Sequence, residues 1–175
     1  MNPQRYSFGA AEPSDVSAIR RIEADPRYDG LVGRWSEAQH RDEMALPSSR
    51  YFVLRDEAGA VAGFALVRGF GDTDRKLHLK RIAVREPGQG LGSALLEALL
   101  DHLYAATETN RIDLDVFLGN DRARRAYEKA GFQVEGVLRD YHRNSDGSFD
   151  SMWLMSVLRA DRKAQPPNRS PTVKL

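Results

Sequence analysis

Three glycines in six residues, Gly88-Gln89-Gly90-Leu91-Gly92-Ser93, stand between a β-rich run ending at Val84 and a leucine-rich run that begins at Leu91. At a strand-to-helix junction the first helical N–H groups have no intrahelical partner and point outward. Glycine lets them approach an anion without interference from a Cβ. The chemistry on offer is therefore the grip of a phosphate or pyrophosphate, and a tight turn with no ligand is the competing reading. A nucleoside-triphosphate loop would end in Gly-Lys-Ser/Thr, and Gly92-Ser93 carries no lysine. A dinucleotide fingerprint is nearly met by Gly88, Gly90 and Ser93, with Asp115 about 20 residues further on. That fold, however, begins with the glycine unit and adds several βα units after it. Here half the chain precedes the loop and an antiparallel hairpin soon follows.

The elements that must position this loop are legible from periodicity. Leu91, Leu95, Leu99 and Leu103 recur at every fourth residue, with Ala94, Leu96, Ala98 and Leu100 widening the stripe, as in a helix packed on a sheet. Upstream, in 77–84, Leu77, Leu79 and Arg81 share one strand face and His78, Lys80 and Ile82 the other. The run is not cleanly amphipathic, so both faces are covered or one bears function. Downstream, Ile112, Leu114 and Val116 alternate against Asp113 and Asp115 as a strand should. Asn120 then opens a helix that ends at Lys129-Ala130-Gly131, with Gly131 in the left-handed position after the last turn.

Around this unit, 5–10 reads as a short strand, and Ser14 as the N-cap of a helix carrying Ile19 and Ile22 on one face. Ser36 caps a second helix that stops at Pro47. Residues 51–55 and 61–68 form a hairpin across Glu57-Ala58-Gly59, and 132–142 and 149–158 form another across 144–147. The fold class expected is α/β (α+β): one twisted mixed sheet of about six or seven strands with helices on both faces.

At 175 residues the chain is one domain's worth. Hydrophobic residues at 41% and charged residues at 29% exclude a collagen-like or wholly disordered chain. Lys and Arg number 26 against 25 Asp and Glu, so the net charge of +1 gives no global attraction for nucleic acid or an anionic membrane. Any anion must be held locally. The absence of cysteine removes disulfides, thiolate nucleophiles and thiolate metal sites together. The start, MNPQRYSFG, lacks a basic and then apolar leader, and no apolar run approaches a membrane span, so a cytoplasmic protein is expected. Residues 164–175, ending QPPNRSPTVKL, are too polar and proline-rich to bury anything and are expected as a disordered tail behind a domain of residues 1–163.

Three blocks together resemble the GNAT N-acetyltransferases. These are Ile82-Ala83-Val84 followed by Gly88-Gln89-Gly90-Leu91-Gly92-Ser93, then Leu114-Asp115-Val116, then Asn120-Asp121-Arg122-Ala123-Arg124-Arg125-Ala126-Tyr127-Glu128-Lys129-Ala130-Gly131-Phe132. The last is similar to the family's Asn-x-x-Ala-x-x-Tyr-x-x-x-Gly-Phe pattern, and the resemblance covers roughly residues 51–158. It implies transfer of an acetyl group from acetyl-CoA to a primary amine on a small molecule, amino acid or protein N-terminus, by direct attack and without a metal. A coenzyme-binding domain that senses or scaffolds without turnover is the alternative. The family usually carries Gln or Arg where this chain has Pro87. Because such a loop grips mainly through backbone amides, this departure bears on affinity more than on function. Gln89 or Arg85 is the expected source of the missing polar contact.

The resemblance also implies site residues. The backbone of Ile82, Ala83 and Val84 would hold the pantetheine, and Gln89, Gly90, Leu91, Gly92 and Ser93 the pyrophosphate. Arg125, with Arg85, Arg122 and Arg124, would meet the nucleotide phosphates, each with a solvated surface role as the competing reading. Asn120 would contact the coenzyme or simply cap its helix. Tyr127 shares a helix face with Asn120, Ala123 and Ala130 and would be the general acid that protonates the departing thiolate, its alternative being a core aromatic. His78 stands six residues before Val84, where several relatives carry a carboxylate, and would be the base. A water chain with no dedicated base is the alternative. Residues 25–35, with Arg27, Tyr28, Asp29 and Trp35, would line the acceptor cleft. The run Leu138-Arg139-Asp140-Tyr141-His142-Arg143 resembles the ribosomal-protein and small-amine branches without choosing between them. The partners expected are thus acetyl-CoA, an amine acceptor and, through the exposed edges of the late hairpin, a second copy of the chain.

Overall fold

Leu91, Leu95, Leu99 and Leu103 are all buried, and this stripe seats one long helix, α3 (Leu91–Ala106), on a mixed sheet. The computed structural model describes residues 6–164 and the pair Val173–Lys174. In chain order the strands are β1 (Tyr6–Ala10), β2 (Ser49–Arg55), β3 (Val61–Arg68), β4 (Lys76–Val84), β5 (Arg111–Phe117), β6 (Gln133–Arg143), β7 (Phe149–Leu158) and β8 (Val173–Lys174). They pair in the order β6-β7-β5-β4-β3-β2-β1-β8. Seven strands of five residues or more carry the sheet, and β8 adds two residues parallel to Tyr6 and Ser7. The rest of the expected tail, 165–172 and 175, lies outside the described residues.

The helices are α1 (Val16–Glu23), α2 (Glu37–Ala45), α3, α4 (Asp121–Lys129) and α5 (Arg159–Ala164). Alternation along the strands divides the core between two helical layers. Phe52, Ala65 and Val67 pack with α3, while Tyr51, Val53, Phe64 and Leu66 pack with Ile19 and Ile22 of α1. β3 is therefore apolar on both faces, as a strand covered on both sides must be. No helix of the described residues is long and apolar enough to cross a membrane.

Local signals place most boundaries. Ser36 accepts the N–H of Gln39 at 3.2 Å, and Gln39 accepts that of Ser36 at 2.8 Å, a reciprocal cap that starts α2. Gly131 follows α4 at φ +93. Ser14 does not cap α1, because it lies inside a 3₁₀ turn, Pro13–Asp15. Asp15 takes over the junction, accepting the N–H of Glu12 at 2.8 Å and pairing with Arg55 at 2.7 Å.

β4 departs from simple alternation. Leu66 of β3 faces Arg81 while Val67 faces Leu79, so Lys80 is an extra residue, a β-bulge. The bulge resets the faces. Leu77, Leu79 and Ile82 turn toward α3, while Ala83 turns toward α1 and Arg81 toward Glu23 of that helix. Arg81 thus does not share the face of Leu77 and Leu79, as strict period two required. On its other edge β4 pairs with β5 only at Lys76, Leu77 and His78, opposite Arg111, Ile112 and Asp113. Beyond that point the two parallel strands part.

Candidate active site

The wedge between β4 and β5 opens into a cleft of about 1200 Å³. Its walls are 79–84 of β4, Asp115, Val116 and Phe117 of β5, the glycine loop, one side of α4, the segment 28–34 that follows α1, and parts of the β6–β7 hairpin. Two chemically distinct ends result.

At the first end, Gly90 sits at φ +82 and Ala94 is the first residue to bond back, its N–H meeting the carbonyl of Gly90 at 3.0 Å. The N–H groups of Leu91, Gly92 and Ser93 accordingly belong to the unpaired first turn of α3. Pro87, Gly88, Gly90, Gly92 and Ser93 line the cleft, and α4 brings Arg122, Arg125 and Lys129 against it. Free amides, a helix N-terminus and three cations make an end that fits a pyrophosphate and a nucleotide phosphate. Of the residues expected here, Ile82, Ala83, Val84, Gly90, Gly92, Ser93, Asn120, Arg122 and Arg125 border the cleft.

The others expected here do not border it. The Leu91 side chain is buried with Leu54, Ala62 and Leu95, and Gln89 is exposed outside the lining. Arg85 pairs with Asp56 at 3.2 Å and Arg124 with Glu128 at 2.9 Å, so neither turns toward a phosphate there. Asn120 accepts the N–H of Ala123 at 3.2 Å and so caps α4 while bordering the cleft. A Cβ on Gly90 would meet nothing within 4 Å, so a substitution there acts through backbone strain and charge rather than through a clash. Gly90→Glu is therefore expected to weaken CoA binding about tenfold or more in calorimetry, by setting a carboxylate against the phosphates. Unchanged affinity would detach the loop from the coenzyme.

At the second end Asp115 of β5 and Tyr127 of α4 border the same space. The Tyr127 ring packs on Phe132, with centroids 5.7 Å apart. Burial, reinforced by the Asp115 charge, pushes its phenol well above the usual tyrosine range. Tyr127 therefore stays protonated across the working range of most enzymes and is loaded as a proton donor.

His78 lies behind this wall rather than in it. Its Nδ1 meets Asp113 at 2.7 Å and its Nε2 meets Asp115 at 3.1 Å. Carboxylates at both ring nitrogens call for a hydrogen on each, which is the imidazolium. Burial alone would lower its pKa, but the hydrogen bonds to Asp113 and Asp115 outweigh that and raise it to about 9. Asp115 is held below the usual carboxylate range: burial raises its pKa, and the His78 bond and charge overcome that.

The segment 28–34 is anchored from beneath. Glu23, 1% exposed, accepts Nη1 of Arg81 at 2.7 Å, the N–H of Trp35 at 3.2 Å and Nε2 of His40 at 3.1 Å. The Arg81 guanidinium lies 3.9 Å from the centre of the Trp35 ring and also donates to the carbonyl of Gly33. Of the residues expected at this end, Tyr28 and Asp29 border the cleft, while Trp35 supports it through Arg81 and Arg27 pairs with Asp25. Asp115 is the group that sequence reasoning passed over. The signal was present, because Asp113 and Asp115 share one strand face, and the register that sets His78 against Asp113 turns that pair into a clasp.

Comparison with known proteins agrees with this geometry. The family model described as Acetyltransferase (GNAT) family matches residues 16–132. An N-alpha-acetyltransferase RimI of Mycobacterium tuberculosis is 31% identical over 143 residues, covering 77% of this chain and 87% of that protein. A spermine/spermidine N(1)-acetyltransferase of Bacillus subtilis is 36% identical over 87 residues, 46% of this chain and 57% of the relative, so the match spans little more than half of that protein. Among solved structures, a spermidine N-acetyltransferase from Vibrio cholerae in complex with CoA and spermine superposes with a TM-score of 0.78 at 19% identity, covering 89% of this chain and 96% of the other. At that identity the likeness shows a shared fold.

Proposed function

The chain belongs to the acetyltransferase (GNAT) family and is an acetyl-CoA-dependent N-acetyltransferase, and from that premise we propose how its residues divide the work of acetylating a primary amine. Bound acetyl-CoA supplies a thioester open to direct attack, so the chain must hold the coenzyme, take a proton from the acceptor ammonium and give one to the departing thiolate. The observation that carries the assignment is the convergence of Asp115 and Tyr127 on the cleft where β4 and β5 part.

The edge of β4 from Ile82 to Val84 that β5 leaves unpaired holds the pantetheine as a neighbouring strand would, and the Gly90, Gly92 and Ser93 amides with Arg125 hold the phosphates. Tyr127 is the general acid. The burial that raises its own pKa equally raises the proton affinity of a thiolate placed beside it, so the transfer is less uphill than solution values suggest.

Asp115 holds the acceptor ammonium, since its low pKa keeps it anionic and makes it an anchor rather than a base. His78, behind it, is the final proton acceptor once it has lost its own proton to solvent, and the Asp115 carboxylate bonded to its Nε2 passes the ammonium proton across without keeping it. With a pKa of about 9 it is neutral in only ~1 in 100 molecules at pH 7. Turnover is therefore expected to rise with pH toward 9.

The charge of the cleft favours an acceptor with one ammonium, such as an amino acid or a peptide N-terminus, over a polyamine. Its Asp29 is tied to Arg34, its Asp115 to His78 and its Arg81 to Glu23, and Lys80 lines the same space. A polyamine places several ammonium groups, each needing an anion. In a panel at pH 8, kcat/KM for a peptide with a free N-terminus or an amino acid should exceed that for spermidine by about tenfold or more, about 1.4 kcal/mol of discrimination. A preference for spermidine would overturn the assignment.

Assembly as a homodimer rests on β6, an edge strand with Val134, Val137 and Tyr141 exposed. A monomer at every concentration in light scattering would remove it.

A further inference from the structure

Tyr28 closes a 3₁₀ turn, Pro26–Tyr28, and is buried, yet it makes its polar contact 56 residues away. Its hydroxyl donates to the carbonyl of Val84 at 2.8 Å and accepts the N–H of the same residue at 2.9 Å. Val84 sits opposite Gly63, and the next residue, Arg85, donates to the carbonyl of Ala62 on the β3 side at 2.7 Å. Backbone groups alternate along a strand, so the N–H and C=O of Val84 turn away from β3, toward the side from which β5 has parted. One hydroxyl thus does what the amide of an added strand would do. It satisfies a donor and an acceptor of the same strand residue together.

A second tie holds the segment in place. Nη2 of Arg27 donates to the carbonyl of Arg85 at 2.9 Å, and its guanidinium is itself held by Asp25. Tyr28 borders the cleft together with Val84, Gly90 and Arg122, and the residues after it, 29–34, line the acceptor end.

We propose that Tyr28 is a latch on the coenzyme groove: its hydroxyl and the coenzyme's pantetheine amide compete for the N–H and C=O of Val84, and coenzyme entry releases the 26–33 segment from β4. This rests on the reading of the cleft as the coenzyme site. Each of the two buried hydrogen bonds is a modest net contribution, and together they set a cost that the coenzyme must offset on binding. Because the released segment lines the acceptor end, coenzyme binding also reshapes the place where the amine docks, and the coupling is reciprocal.

The test compares wild type with Tyr28→Phe, which keeps the buried ring and removes the competing hydroxyl. Titration calorimetry with CoA should show about tenfold tighter binding by the variant, about 1.4 kcal/mol. Adenosine 3′,5′-bisphosphate, which lacks the pantetheine amides, should bind both proteins alike. Equal or weaker CoA affinity in the variant would overturn the latch alone. Absence of CoA binding by both proteins would remove the coenzyme reading and the latch with it. Amide exchange in wild type supplies an independent readout. On CoA addition, peptides covering 26–33 should exchange faster while Val84 stays protected, and slower exchange in 26–33 would overturn the latch.

Discussion

Tyr127→Phe lowers kcat by about 10²- to 10⁴-fold, the usual worth of a positioned general acid, and leaves the affinity for CoA nearly unchanged. The substitution deletes one oxygen from a ring that keeps its packing on Phe132 and its place on the helix face shared with Asn120 and Ala123. Without that phenol the thiolate departs unprotonated, and the cost falls on the chemical step. Pre-steady-state thiol release with CoA calorimetry in parallel separates the two effects. A kcat equal to wild type would make Tyr127 a core aromatic and nothing more. A loss confined to KM would place it in binding instead.

Asp115→Asn carries the second large effect, a fall in kcat/KM of about 10²-fold or more. Two losses combine. The acceptor ammonium gives up its carboxylate anchor, and His78 gives up one of the two carboxylates that keep it charged. The His78 pKa then falls from about 9 toward its ordinary 6.5, so the rising limb of the pH–rate profile moves to lower pH. His78→Gln should remove that limb while leaving Asp115 its charge. A limb that survives His78→Gln unchanged would belong to the substrate's own ammonium and would pass proton removal to water.

The same clasp makes a statement about stability. The folded pKa of His78 lies above its unfolded value, so the stabilisation is complete below about pH 6.5 and is lost as pH rises through about 9. It amounts to about 3 kcal/mol. Thermal unfolding of wild type should therefore show a falling Tm across that window, and Asp115→Asn should flatten the fall.

Much of the scaffold could be read from the residues because its signals are local. The four-residue leucine repeat of α3, the Ser36 and Gln39 cap, the two hairpin connectors and Gly131 after α4 each need only a few neighbouring residues to act. The glycine-loop end of the cleft was legible for the same reason, since a helix N-terminus and a glycine loop are adjacent in sequence. What escaped depends on register and on long-range partners. The extra residue at Lys80 changes which side chains of β4 face each layer, and no periodicity in 77–84 announces it. His78 was singled out by position as a base, but its proton state follows from Asp113 and Asp115 on the next strand. Arg85 looked available for phosphate until Asp56 claimed it, and Ser14 looked like a cap until Asp15 took the junction. The Tyr28 contact with Val84 joins a loop to a strand end across the whole first half of the fold.

The measurement that bears most directly on this account is turnover of acetyl-CoA by the wild-type chain against amino acids, peptides with free N-termini, polyamines and aminoglycosides. Free thiol and acetylated amine are followed together. Equal amounts of both are expected, greatest for an acceptor with one ammonium, with a rate that rises toward pH 9. Tight CoA binding in calorimetry with no thiol released by any amine would contradict it, and would make the cleft of Asp115 and Tyr127 a place where the coenzyme is held and not used.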